Sequence, residues 1–292
     1  GNGASELIDL VIRDRYVAEG SQGSQGAGER LWKPASPNGL QYKEYERSAQ
    51  AAGFEVVSHD HPHASVTCVI NPNNPTGEYF PIADLKAMIE TNCSPGSHVI
   101  VDESMQPWVG PGWREDSLLK QQGWVTEMLE KHGIHVFIMH SWTKIWSCTG
   151  VRLGSVVMPT VEVAQRIKGR QVPWSVNTMA LEFLSEVVKD DEYMQRTWEL
   201  TPQWRQQTAD AITARFPSWT IHGQPFLSWL WCDTRDDSVA LEAVRLAKAA
   251  GTPVRHGKPG YNMPTMVRVA VREPKHLQTL LNAWEPLRAS GP

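Results

Sequence analysis

Lys144 closes the run Phe137-Ile138-Met139-His140-Ser141-Trp142-Thr143-Lys144, an apolar stretch that ends in hydroxyls and a primary amine. Arg152 follows inside Gly150-Val151-Arg152-Leu153-Gly154. A lone lysine is usually a solvated surface residue. A lysine beside two hydroxyls at a strand end, with an arginine between glycines behind it, has other uses. Lysine forms Schiff bases with carbonyl compounds, and a hydroxyl with a guanidinium suits a phosphate. Two further apolar runs end in polar groups. Val99-Ile100-Val101 leads into Asp102-Glu103-Ser104. Asp102 would either cap a turn or offer its carboxylate to a cationic heterocycle nitrogen. Val66–Ile70 leads into Asn71-Pro72-Asn73-Asn74-Pro75-Thr76-Gly77. That segment reads as a tight loop with Asx-type capping, or as a side-chain amide that both donates and accepts toward a ligand. Together these are the parts of a pyridoxal-phosphate site: a Schiff-base lysine, an acid for the ring nitrogen, phosphate ligands and an amide for the ring hydroxyl.

Such groups need strands to aim them. Short apolar or β-branched runs at Phe54–Val57, Val66–Ile70, His98–Val101, Val136–Met139 and Leu153–Met158 alternate with helical periodicity at Ile82–Glu90 and Leu118–Lys131. Alternation of this kind predicts an α/β fold with a mainly parallel sheet covered on both faces. In such sheets ligands bind beyond the carboxyl ends of the strands. Leu7, Ile8, Leu10, Val11 and Ile12 give a helical face after the turn Gly1-Asn2-Gly3, and Ser21–Gly28 reads as a flexible loop. After Pro159 the text turns helical, at Val161–Gly169, Asn177–Asp190 and Tyr193–Phe216. A second strand-containing unit follows: strand Ser228–Cys232, helix Val239–Ala250, strand Met266–Val271 and helix Pro274–Arg288. The expected division is a large domain over 1–190, then a connecting helix with a smaller α+β domain over 191–292.

The 292 residues are 41% hydrophobic and 21% charged, with a formal charge of −4. No basic tract recurs, which argues against a nucleic-acid or membrane-surface protein. No apolar run approaches the length of a membrane span. Cys68, Cys93, Cys148 and Cys232 are scattered without CxxC spacing, which fits reduced thiols in the cytoplasm or another reducing compartment. The first residue is not Met, so the chain reads as a fragment, a processed form or a trimmed form, and any targeting peptide would lie upstream. Thirteen Trp against six Phe and six Tyr fits a Trp-rich core or a quirk of lineage. His59-Asp60-His61-Pro62-His63 alternates histidines on one strand face, the pattern of a metal site, but its polar setting favours a loop.

The set NPNNPTG, VDES, SWTK and GVRLG, in this order, resembles the fold-type-I, class I/II aminotransferases. Within them it is similar to the histidinol-phosphate aminotransferase and threonine-phosphate decarboxylase branch. The resemblance runs from Gly1 to the C-terminal helix. It implies pyridoxal 5'-phosphate bound by Lys144 as an internal aldimine, with Lys144 then shuttling a proton at the substrate Cα. It implies Asp102 on the pyridine nitrogen, Asn74 on the ring hydroxyl, and Ser141 and Arg152 on the phosphate with backbone N–H groups of Ala4 and Ser5. Tyr42 falls where the family stacks an aromatic on the ring, with Tyr45 as the competing choice. Arg268 matches an arginine that grips the substrate carboxylate, and Arg255 one that faces a substrate phosphate. An amino acid or amino phosphate as substrate and a homodimer are implied in the same way.

Departures qualify the likeness. Met105 stands where the family often has Tyr, and Pro225-Phe226 where Asn-Tyr is common. Family members carry an N-terminal arm ahead of the first glycines. Its absence here would expose a sheet edge, so a non-catalytic relative serving as a scaffold or interaction subunit is one alternative. Pro173-Trp174-Ser175-Val176-Asn177 looks more like the decarboxylase branch. Transamination remains the first expectation and decarboxylation the second.

Overall fold

The strands Val66–Ile70 and His98–Asp102 are buried at every residue because both of their faces are covered. A computed structural model gives the fold and describes residues 1–20, 30–36 and 39–288; the run Ser21–Gly28 lies outside the described residues. Its contacts divide the chain into two units. The first comprises Gly1–Asn74, Tyr79–Pro107 and Pro111–Asp191; the second comprises Pro75–Glu78, Trp108–Gly110 and Glu192–Pro292.

The first unit holds strands β1 (Leu31–Pro34), β2 (Glu55–Val56), β3 (Val66–Ile70), β4 (His98–Asp102), β5 (His135–His140) and β6 (Ser155–Val157). They form one sheet in the order β2-β1-β3-β4-β5-β6. Neighbours are parallel except β5 and β6, which are antiparallel. The helices are α1 (Ala4–Gly20), α2 (Glu44–Ala51), α3 (Ile82–Asn92), α4 (Gln122–His132), α5 (Val161–Lys168) and α6 (Thr178–Val187). Alternate strand residues serve opposite faces. Val66, Cys68, Ile70, Ile100, Phe137 and Met139 pack with Ile8 and Ile12 of α1, Tyr45 of α2 and Ile167 of α5. Val69, Val99, Val101, Val136 and Ile138 pack with Leu85 and Ile89 of α3 and Val125 and Met128 of α4. The result is the expected three-layer α/β arrangement.

One strand had no signature in the sequence. β1 is only four residues long and contains Lys33 and Pro34, yet all four residues are buried. The Lys33 amine is satisfied by the carbonyls of His61 and Asn92, both at 2.8 Å. A second buried charge ties α1 to the end of α5. Asp14 accepts from Arg166 Nε at 2.8 Å and Nη2 at 2.7 Å, and from Arg170 Nη1 at 2.5 Å. The arginine bonds hold its carboxyl well below the usual range against the opposing effect of burial. His98 approaches the same carboxylate at 4.0 Å, and burial lowers its pKa to about 4.

The second unit contains α7 (Asp191–Arg215), β7 (Thr220–His222), β8 (Trp229–Asp233), α8 (Asp237–Ala249), β9 (Arg255–His256), the short α9 (Lys258–Tyr261), β10 (Met266–Ala270) and α10 (Pro274–Ala283). Its antiparallel sheet has the order β7-β8-β10-β9. Ile212, Leu230, Cys232, Ala247, Val269, Leu281 and Trp284 form its core. All four cysteines are free thiols. Among the described residues no helix is long and apolar enough to cross a membrane.

Candidate active site

Strand register fixes the level from which the site is built. Ile70 pairs with Asp102 and Asp102 with Met139, so β3, β4 and β5 end side by side, about 4.8 Å apart. The ladder continues one step further: Asn71 N–H donates to Asp102 O and Glu103 N–H to Met139 O, both at 2.9 Å. Asn74, Asp102, Ser141 and Lys144 therefore follow their strands out of one carboxyl edge, where open α/β sheets bind ligands.

Asp102 is 7% exposed. Its Oδ1 accepts the Ser104 N–H at 2.8 Å and its Oδ2 accepts the Tyr45 hydroxyl at 2.7 Å. Burial, then the neighbouring carboxylate, pushes the Tyr45 phenol well above its ordinary pKa, so it stays protonated and donates. Ser104 also reaches the next strand, its hydroxyl accepting the Ser141 N–H at 2.8 Å. Ser141 Oγ lies 3.2 Å from Thr143 Oγ1. Lys144 N–H closes a turn on Ser141 O at 3.3 Å, and its side chain is exposed.

The asparagine-rich loop divides its labour. Asn71 clamps the loop's far end through both halves of its amide, donating to Phe80 O and accepting from Phe80 N–H, each at 2.8 Å. Asn73 Nδ2 donates to Leu40 O at 2.7 Å. Asn74 is half-buried and takes part in neither clamp. The two tyrosines separate as well. Tyr45 is fully buried and committed to Asp102, whereas Tyr42 is half-buried and meets it edge-on at 6.5 Å.

At the start of α1 three segments converge. Asn2 bridges to Leu153, and the Gly1 amine donates to Gly154 O at 2.9 Å. Gly3 has φ +75, and a Cβ there would fall on Arg152 Nη2. A Cβ on Gly154 would come within 2.7 Å of Ala4 N and 3.0 Å of His140 O. Only glycine permits either approach. Arg152 itself is left-handed (φ 59) and donates from Nη1 to Thr149 O at 3.2 Å. The first-turn N–H groups of α1, those of Ala4 and Ser5 included, lack intrahelical partners and carry the positive end of the helix dipole. The Arg152 guanidinium, these N–H groups and the end of β5 thus form a cradle suited to an anion.

The two remaining predicted residues lie in the second unit. Arg268 of β10 stands directly opposite Arg255 of β9 and, on its other side, opposite Trp231 of β8. Tyr261 meets Trp231 edge-on at 6.0 Å. Burial raises the Tyr261 phenol, opposed by the two arginines. Arg255 is exposed and Arg268 half-buried.

The sequence did not mark the Tyr45–Asp102 bond, the Ser104 link or the side chains of Glu103 and His140. The only signal was adjacency to Asp102 and Ser141. In the histidine-rich segment, His61 Nδ1 lies 2.6 Å from His63 O and the His61 carbonyl serves Lys33. Among the described residues no three His, Cys, Asp or Glu side chains are grouped to hold a metal ion.

The sequence model of the aminotransferase class I and II family matches residues 38–283. The chain belongs to that family. It is 24% identical over 228 residues to histidinol-phosphate aminotransferase 1 of Thiobacillus denitrificans, a match covering 73% of this chain and 53% of that protein. It spans between about half and three fifths of the length of the curated relatives it matches first. Among solved structures, histidinol-phosphate aminotransferase from Sinorhizobium meliloti in complex with pyridoxal-5'-phosphate superposes with a TM-score of 0.76 at 16% identity, over 99% of this chain and 76% of that one. L-Threonine-O-3-phosphate decarboxylase from Porphyromonas gingivalis gives 0.73 at 16% identity, over 98% and 82%. The fold is shared with both.

Proposed function

We propose that the chain is a pyridoxal-phosphate-dependent enzyme acting at Cα of a small amino acid or amino phosphate, as an aminotransferase. The observation that carries the reading is the common edge of β3, β4 and β5, from which Asn74, Asp102, Ser141 and Lys144 all emerge. The residues fit the cofactor. Asp102 is a buried acid whose two oxygens accept from the Tyr45 hydroxyl and the Ser104 N–H, and a protonated pyridine nitrogen would give it a charged donor. The absent Cβ atoms of Gly3 and Gly154 leave the Arg152 guanidinium and the α1 terminus close enough to share one phosphate.

When bound, pyridoxal phosphate supplies a carbonyl that condenses with amines and a ring that accepts an electron pair. Lys144 offers the amine for that carbonyl, then takes and returns a proton at the substrate Cα. Asp102, oriented by Tyr45 and Ser104, holds the proton on the ring nitrogen. Asn74 binds the ring hydroxyl and Tyr42 covers the ring. Ser141, Arg152, Ala4 N–H and Ser5 N–H bind the phosphate. Arg268 binds the substrate carboxylate and Arg255 a second anionic group. A homodimer is supported by the exposed apolar side chains of Val172, Trp174, Met179 and Leu181, with Trp174 97% exposed. The free thiols agree with a reducing compartment.

Decarboxylation is the second reading, supported by Pro173-Trp174-Ser175-Val176-Asn177 and by the shared fold of the Porphyromonas gingivalis enzyme. The test begins with the visible spectrum of the chain mixed with pyridoxal phosphate, beside Lys144→Ala. A band above 400 nm (roughly) that the variant lacks is expected from a lysine Schiff base. No band in a folded wild-type chain would overturn the reading. Formation of a 2-oxo acid then supports transamination, and carbon dioxide from phosphothreonine the alternative.

A further inference from the structure

Glu103 and His140 have no part in the chemistry just assigned, yet each adjoins a residue that does. Glu103 directly follows Asp102 at the end of β4, and His140 directly precedes Ser141 at the end of β5. Neighbouring residues of an extended chain face opposite ways, so the pair sits on the other side of the strand ends from the cofactor groups. Both side chains are 1% exposed. His140 Nε2 lies 3.3 Å from Glu103 Oε2. The carboxylate is otherwise held by Ser117 Oγ at 2.5 Å and Leu118 N–H at 2.8 Å.

The histidine ring is fixed from its flat side. Trp142 stacks on it with centroids 4.8 Å apart and planes 2° from parallel. The indole N–H donates to Ser155 Oγ on β6 at 2.8 Å. Neither imidazole nitrogen makes a hydrogen bond among the described residues, and Nε2 meets the Glu103 carboxylate as a close polar approach at 3.3 Å. A buried carboxylate and a buried imidazole are each costly alone. Their mutual approach therefore resists any change in the gap between the ends of β4 and β5. The Ser104–Ser141 bond spans the same gap. A hydrogen bond and a close polar approach across one gap hold it more rigidly than the bond alone.

We infer that Glu103 and His140 are positioning residues for the cofactor: joined across the strand ends, they fix the distance between the acid that meets the ring nitrogen and the hydroxyl that meets the phosphate. The inference rests on the proposed cofactor. Outer-shell groups of this kind can be worth about tenfold or more in affinity, as they are around metals.

The experiment loads the full chain with pyridoxal phosphate and compares His140→Phe, which keeps a ring against Trp142 but removes both nitrogens, and Ser117→Ala, which removes one donor from Glu103 and leaves His140 in place. Two quantities are read: the cofactor dissociation constant, from tryptophan fluorescence, and the pH midpoint of the visible band. His140→Phe is expected to weaken binding about tenfold and to move the midpoint. Ser117→Ala is expected to move both in the same direction by less, and it decides the matter if the larger variant does not fold. Folded variants with wild-type affinity and midpoint would overturn the inference, even if their thermal stability fell, because that pattern describes a purely structural pair. A wild-type chain with no band overturns the function as well, and so is told apart from failure of the pair alone.

Discussion

Asp14 and Asp102 are both buried aspartates of the first unit, and their surroundings differ in one respect. Asp14 is engaged by two guanidinium groups through three bonds. Asp102 receives one phenol and one backbone amide, both neutral. The first carboxylate is compensated by the protein and holds α1 to the end of α5. The second is held by neutral donors and stands at the edge of a sheet where a ligand can approach. Two lysines repeat the contrast. Lys33 is buried on two carbonyls, and desolvation lowers its pKa; Lys144 is exposed. In the proposed reading, a residue type that performs chemistry in one place is architecture in another, and what separates the two lysines is burial.

The largest effect that would break this comparison is at Lys144. Lys144→Ala should lose the visible cofactor band and reduce turnover by on the order of 10³-fold or more, the scale of a missing proton-transfer group. The two aspartates should then fail in opposite ways. Asp14→Ala leaves two arginines facing a void, and a loss of about 3–5 kcal/mol is expected in denaturant unfolding, with the wavelength of the cofactor band unchanged. Asp102→Asn keeps one acceptor oxygen and replaces the other with an NH2 group, to which the Tyr45 hydroxyl must turn from donor to acceptor, so it should cost only about 1–2 kcal/mol of stability but should suppress turnover. Equal stability losses in the two variants would erase the distinction.

Acid sharpens it further. His98 has a folded pKa of about 4, against 6.5 for the free group, because burial disfavours its charged form. It is neutral in the folded chain over that interval while the unfolded chain takes up a proton. Its contribution to stability is therefore full above about pH 6.5 and is lost as pH falls toward 4, by up to about 3 kcal/mol. His98→Phe should flatten that part of the stability curve, read as thermal midpoint against pH. Asp14, whose carboxyl is depressed by its arginines, adds its own loss only below about pH 4. The smallest effect is expected at Tyr45. Tyr45→Phe removes one bond to Asp102 and should cost about 1 kcal/mol, while shifting the pH midpoint of the cofactor band.

The carboxyl edge was legible because strand ends and the turns after them are contiguous in sequence. Val66–Ile70, Val99–Asp102 and Phe137–His140 announce themselves as buried strands, and each is followed at once by its polar residues. The finer division was not. Nothing in NPNNPTG says that Asn71 and Asn73 clamp the loop to the backbone of Phe80 and Leu40, since that depends on residues outside the motif. Nor does the spacing separate Tyr42 from Tyr45, whereas in the structure Tyr45 is buried on Asp102. β1 escaped notice because four residues with a lysine and a proline carry no periodicity. The Asp14 cluster joins positions 152 residues apart, a distance over which local pattern has no reach.

The cross-strand arginines of the second unit have a kinetic consequence. Arg255 and Arg268 lie directly opposite each other on β9 and β10, an arrangement that like charges disfavour. In the proposed role their fields would add in the space both face, and a doubly charged anion would be drawn in from beyond contact range. At physiological ionic strength such steering reaches only about 8 Å. Capture of a phosphorylated amino acid should slow as salt is added, whereas capture of an unphosphorylated one should slow much less. The steepness of that dependence would count the charges on the molecule this chain takes up.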